Sequence, residues 1–134
     1  MIPLEAKVIE INKKDMLHLV AFDLEGIVLY MIGLELPYNL KIDSRVRLAI
    51  KPISVAIGKD TRGLLSYSNQ LPATILDMEK GELLSTLTLE LDNHCRIESI
   101  ITSRAVDRLA LKKTDRVTAL IKSSEVSILE VLND

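Results

Sequence analysis

Three small clusters of hydroxyl, amide and ammonium groups concentrate the polar chemistry of this 134-residue chain. They are Ser66, Ser68 and Asn69; Thr102 and Ser103; and Lys122, Ser123 and Ser124. The first lies in residues 63–76, "GLLSYSNQLPATIL", the longest stretch without a charge, where a Leu-Pro corner and a strand-like run follow the serines. No acid, base or thiol stands in that stretch, so its groups suit binding better than bond-making. Each cluster falls at the start or end of an expected element, where backbone N–H groups lack partners. Hydroxyl donors, free N–H groups and one ammonium together describe a cradle for a tetrahedral oxyanion. Such a cradle needs no basic protein surface, because many oriented dipoles share the charge. Ser and Thr also fill turns for their own sake. Ser124 is the least secure member, since strand alternation turns it away.

Catalytic chemistry finds little support. His18 and His94 are the only histidines, and neither has the spacing of a nucleophile partner or a metal ligand. Cys95 follows His94 directly, so on a strand their side chains point to opposite faces. No Gly-rich phosphate loop, HExxH or GxSxG occurs. Acidic pairs such as Asp77 and Glu79 read as a solvated face. The expectation is a binder, not an enzyme.

The elements that must position the clusters occur twice. Residues 45–57, "RVRLAIKPISVAI", align with residues 116–128, "RVTALIKSSEVSI", with six of thirteen positions identical at an offset of 71. Upstream, "AKVIEI" at 6–11 matches "ATILDM" at 73–78 in apolar pattern, at an offset of 67. The second copy has therefore gained residues near 102–111, where the first has the shorter "LELPYNLKI". The repeats are expected at residues 1–60 and 61–134, the first being the degenerate one.

Alternating or β-branched runs predict strands at 7–11, 17–22, 27–32 and 45–50, then at 73–76, 83–91, 95–102, 117–121 and 126–132. Turn chemistry at "DLEG", "EKGE" and "LDNH" separates them. The one strong helix signal is "TSRAVDRLAL", with Thr102 or Ser103 as cap and Val106, Leu109 and Leu111 as its apolar side. The fold expected is all-β with a short helix per repeat, as small antiparallel barrels. One copy alone buries little surface, and open strand edges favour association between chains, so a homo-oligomer is expected.

Composition narrows the partners. A hydrophobic share of 48% suffices for a core, which must be aliphatic because there is no Trp, one Phe and three Tyr. The formal charge is −2 with Lys and Arg dispersed, which leaves no footprint for duplex DNA or RNA. Phe22, Tyr30, Tyr38 and Tyr67 are too few to stack single strands, so no nucleic-acid partner is expected. The lone Cys95 suits a reducing compartment. The start "MIPLEAKVIEI" lacks a secretory pattern, and residues 63–76 are too short and polar to span a bilayer. A soluble cytoplasmic protein without direct membrane insertion is the expectation.

The second copy, from "SYSNQLPATI" through "ITSRAVDRLAL" to "IKSSEVSIL", resembles the Mop or TOBE domain, and the whole chain resembles its tandem, di-Mop arrangement. Similar tandems occur in molbindins, in molybdate-responsive regulators and in the C-terminal regulatory part of molybdate-importer ATPases. The resemblance implies OB-like β-barrels that bind molybdate or tungstate at sites between subunits or copies, in a dimer or trimer. Molybdate-transporter components are implied as further partners. It also implies the binding residues: Ser66, Ser68 and Asn69 from the first motif, Thr102 and Ser103 from the helix start, and Lys122 with Ser123 from the strand end. The family pattern commonly has Arg where this chain has Ser68, and a lost guanidinium removes a strong partner for an oxyanion. The first copy keeps Lys51, a possible second site, but follows it with Pro52 and has no Ser-x-x-Asn start. There is no Walker A sequence and no winged-helix segment, and the "MIPLEAKV" start favours a free-standing protein. The leading expectation is a molybdate- or tungstate-binding protein for storage, homeostasis or sensing linked to molybdate transport. The alternative is an OB-like assembly module whose anion site has eroded.

Overall fold

The computed structural model describes residues 2–61 and 63–132. Ten strands and one α-helix follow in the order β1 (Leu4–Lys14), β2 (Leu17–Leu24), β3 (Ile27–Gly33), β4 (Arg45–Ile50), β5 (Ala56–Gly58), β6 (Asn69–Lys80), β7 (Leu84–Leu91), β8 (Arg96–Thr102), α1 (Ser103–Arg108), β9 (Arg116–Ile121) and β10 (Val126–Val131). Alternation sets the faces. In β7, Ser85, Leu87, Leu89 and Leu91 are buried while Thr86, Thr88 and Glu90 are half-exposed. Buried residues of both repeats form one continuous apolar core, with Phe22, Leu24, Leu29, Leu48, Ile75, Leu87 and Leu89 among its largest members.

The strands form two antiparallel sheets, ordered β10-β4-β1-β2-β3 and β5-β9-β6-β7-β8. Each sheet takes its outer strand from the other half of the chain: β5 pairs with β9, and β10 pairs with β4. A 3-10 turn precedes each exchanged strand, Pro52–Ser54 before β5 and Ser123–Glu125 before β10. The two turns meet where Ser54 Oγ donates to Glu125 Oε2 at 2.8 Å, a contact between residues 71 positions apart and hence equivalent in the two repeats.

The repeat is visible in backbone detail. A β-bulge interrupts β1 between Val8 and Glu10 and β6 between Ile75 and Asp77, again 67 residues apart. Beside each bulge a left-handed residue, Asp43 (φ 72) or Thr114 (φ 77), donates its N–H to the carbonyl of Val8 or Ile75. The "DLEG" turn has Glu25 and Gly26 both at positive φ, the type I′ geometry that suits a two-residue hairpin.

Three expectations change. The Leu-Pro corner is not a corner: Pro72 lies inside β6, paired opposite Thr118 of β9. The β6–β7 ladder begins only at Ala73, so at Pro72 the strand has a partner on one side and the missing N–H breaks no ladder there. Strand β5 is an addition, too short and too close to Pro52 to show a period. The helix expected in each repeat forms as an α-helix only in the second, among the described residues. Thr102 caps it, with Oγ1 accepting from Ala105 N at 3.1 Å. The β2–β3 ladder ends with Gly33 opposite His18, as Ile101 lies opposite Ser85 in the second repeat, so Leu34 follows in the place of Thr102. Leucine has no oxygen for a cap, and residues 34–40 turn without a helix.

Candidate functional site

The sequence clusters separate into two walls. The first is built where β6 starts beside the end of β9, with Asn69 opposite Ile121. Ser66 and Ser68 lead into β6, and Lys122 and Ser123 leave β9, so these four residues surround one strand end. Ser66, Ser68 and Lys122 are exposed and Ser123 is half-buried. None of these side chains has a hydrogen-bond partner among the described residues, so their donors are available. Gln70 Nε2 donates to Tyr67 O at 2.9 Å and folds the approach segment back on itself.

Asn69 stands in the same place with a different task. It is 1% exposed. Its Oδ1 accepts from Tyr30 N at 2.8 Å, and its Nδ2 donates to Tyr30 O at 3.0 Å. The amide thus imitates a strand partner and covers the outer edge of β3, tying the first wall to the other repeat.

The second wall lies beyond the far end of the 12-residue β6, about 35 Å away along the strand at roughly 3.3 Å per residue. Thr102 and Ser103 line a cavity of about 780 Å³ with Lys80, Leu83, Leu84 and Arg104 among its other lining residues. Lys80 there pairs with Asp107. Thr102 Oγ1 accepts from the helix and keeps its own hydrogen for a ligand. Ser103 is buried at 4%, donates to Gly81 O at 2.7 Å and shares a hydrogen bond with Ser85 Oγ at 2.8 Å. Its backbone N–H is bound to Leu83 O. Ser85 escaped the sequence reading because a serine in an alternating strand gives no sign of which face it takes. Ser124 lines a separate cavity with Gly33 and Glu35.

The two histidines and the cysteine take no part in either wall. His18 Nδ1 is buried with no partner among the described residues, and exposed His94 sits 3.8 Å from Glu90. Desolvation pushes the Cys95 thiol above its ordinary range, which keeps it a poor nucleophile. Among the described residues no group of three His, Cys, Asp or Glu could hold a metal ion. No helix there is long and apolar enough to cross a membrane. One chain therefore offers two donor-bearing surfaces at opposite ends of β6, the first with the uncommitted Lys122 and the second with Arg104 and the Asp107-paired Lys80.

Comparison with known proteins agrees with this architecture. Residues 65–128 match the TOBE domain. The chain is 35% identical over 65 residues to molybdenum-pterin-binding protein 1 of Clostridium pasteurianum, spanning 48% of this chain and 96% of that protein. It is 32% identical over 88 residues to the molybdenum import ATP-binding protein ModC of Brucella abortus, across 66% of this chain but 24% of that protein. The structure of the cytoplasmic molybdate-binding protein ModG, with molybdate bound, superposes with a TM-score of 0.90 at 27% identity, covering 95% of this chain and 94% of that one. Two tandem OB-like units with exchanged outer strands define the class as di-Mop. The chain belongs to the Mop/TOBE family.

Proposed function

We propose that this chain binds molybdate or tungstate as an intact tetrahedral dianion in the cytoplasm, for storage, homeostasis or sensing linked to molybdate transport. The observation that carries the reading is the match over 95% of the chain to a protein described as binding molybdate. The donor set supports it. Lys122 supplies the one full positive charge of the first wall, and Ser66, Ser68 and Ser123 supply hydroxyl donors. Thr102 supplies a hydroxyl whose oxygen is already held by Ala105 N. A charge-assisted contact from Lys122 with several neutral donors can replace the hydration of a dianion. Binding, with no bond made or broken, is the whole of the proposed activity.

The two walls lie too far apart in one chain to share one ion. The reading therefore includes a homo-oligomer, dimer or trimer, in which the first wall of one copy meets the second wall of another. It also keeps the division into repeats at residues 60 and 61, with transporter components as further partners. A second reading, an assembly module with an eroded site, is favoured by Ser68 and by the internal hydrogen bonds of Asn69 and Ser103. Thermal melting with molybdate, tungstate, sulfate and phosphate separates the two. Stabilisation by the two larger oxyanions alone supports binding; identical melting in all four supports the eroded module.

A further inference from the structure

The two repeats differ at both walls in a coordinated way. Counting on from Gly33, the equivalent of Ile101 in the strand register, Leu34 stands for Thr102 and Glu35 for Ser103, and by the offset of 71 Pro52 stands for Ser123 and Ile53 for Ser124. Only the lysine is kept, Lys51 for Lys122, each at the N-cap of its 3-10 turn in the same extended conformation. Leu34 is 64% exposed and Ile53 68%, so apolar groups face outward where the second repeat presents hydroxyls. Glu35 and Lys51 are also exposed, and neither has an ion-pair partner among the described residues.

Within one chain the two groups do not pair. Glu35 follows the end of β3 and lines one cavity with Ser124, whereas Lys51 follows β4. A change at one wall alone would leave hydroxyls facing leucine, or an anion facing a carboxylate. Changing both walls together yields a consistent joint between copies: leucine against isoleucine and proline, and a carboxylate against the retained lysine.

We propose that the first repeat carries its own anion, the carboxylate of Glu35, received by Lys51 of a neighbouring copy where the second repeat takes an oxyanion. This rests on the reading of the walls as meeting between copies. The first-repeat joint then forms without ligand, and oxyanion binding is confined to the second repeat, one ion per chain.

The test is a charge exchange in the full chain, purified free of molybdate and tungstate. Association is followed by sedimentation for the wild type, Glu35→Lys, Lys51→Glu and the double variant. Both residues are exposed, and circular dichroism melts check that each variant folds. The wild type is expected to associate without oxyanion. Each single variant should weaken association about tenfold or more, and the double variant should recover to within roughly threefold of wild type. A monomeric wild type, single variants that associate normally, or a double variant no better than the singles would overturn the proposal. Titration of the wild type with molybdate reads the functional proposal separately. Rescue without molybdate binding keeps the joint and rejects the ligand; one ion per chain without rescue does the reverse.

Discussion

A buried carboxamide must satisfy its donors and acceptor inside the fold, and at Asn69 the backbone of Tyr30 does most of that work. Replacing Asn69 with Ala leaves both Tyr30 groups without a side-chain partner and opens the edge of β3. We predict a loss of about 2 kcal/mol in stability by denaturant titration, whatever the effect on binding. Lys122 is the opposite case, exposed and uncommitted. Lys122→Ala should leave stability unchanged and weaken molybdate affinity by about 2 kcal/mol, because the dianion loses a charged donor. Calorimetry on the variant checks this, and unchanged affinity would mean the first wall is misplaced. Both residues stand out in the sequence as polar groups near strand ends. Nothing there separates the amide that faces inward from the ammonium that faces water, because that depends on a strand 39 residues away.

The elements were more legible than the side chains. Alternation in β7 and the bulge-marked runs of β1 and β6 follow from local pattern, as does the Thr102 cap. Strand β5 and the interior position of Pro72 were hidden, since each depends on which neighbour lies alongside. One element contact carries a pH dependence. Lys59, just after β5, donates to the Leu109 and Ala110 carbonyls and to Asp115, so the first half of the chain caps the end of α1. Desolvation pushes the Asp115 carboxyl upward, but the Lys112 N–H and the Lys59 ammonium outweigh it and hold the group below the usual range. The hydrogen bond from Arg116 likewise lowers Asp92. A carboxyl with a depressed folded value adds stability that is complete above its unfolded pKa, about 3.9, and is lost as acid carries the pH through the folded value. Stability should therefore hold from neutrality to about pH 4 with respect to these groups and fall below it. Lys59→Met should flatten that acid limb in melts measured across pH.

At the scale of the molecule, strand exchange makes each half depend on the other. The duplication is plain in the sequence because "RVRLAIKPISVAI" and "RVTALIKSSEVSI" keep their apolar register. The exchange is not, because a strand carries no label for the sheet it joins. Residues 61–134 alone lack β4 and β5, leaving β10 and β9 without those neighbours. That half should fold only by pairing with a second copy of itself, so its melting temperature should rise with concentration while that of the full chain changes less. The same scale holds the central claim, that the ion lies where two copies meet. The direct measurement is the anomalous scattering of tungsten in crystals grown with tungstate. A peak is expected within hydrogen-bonding distance of Lys122 and Ser123 of one copy and Thr102 of another. A peak held by one chain alone, or no peak at either wall, would contradict it.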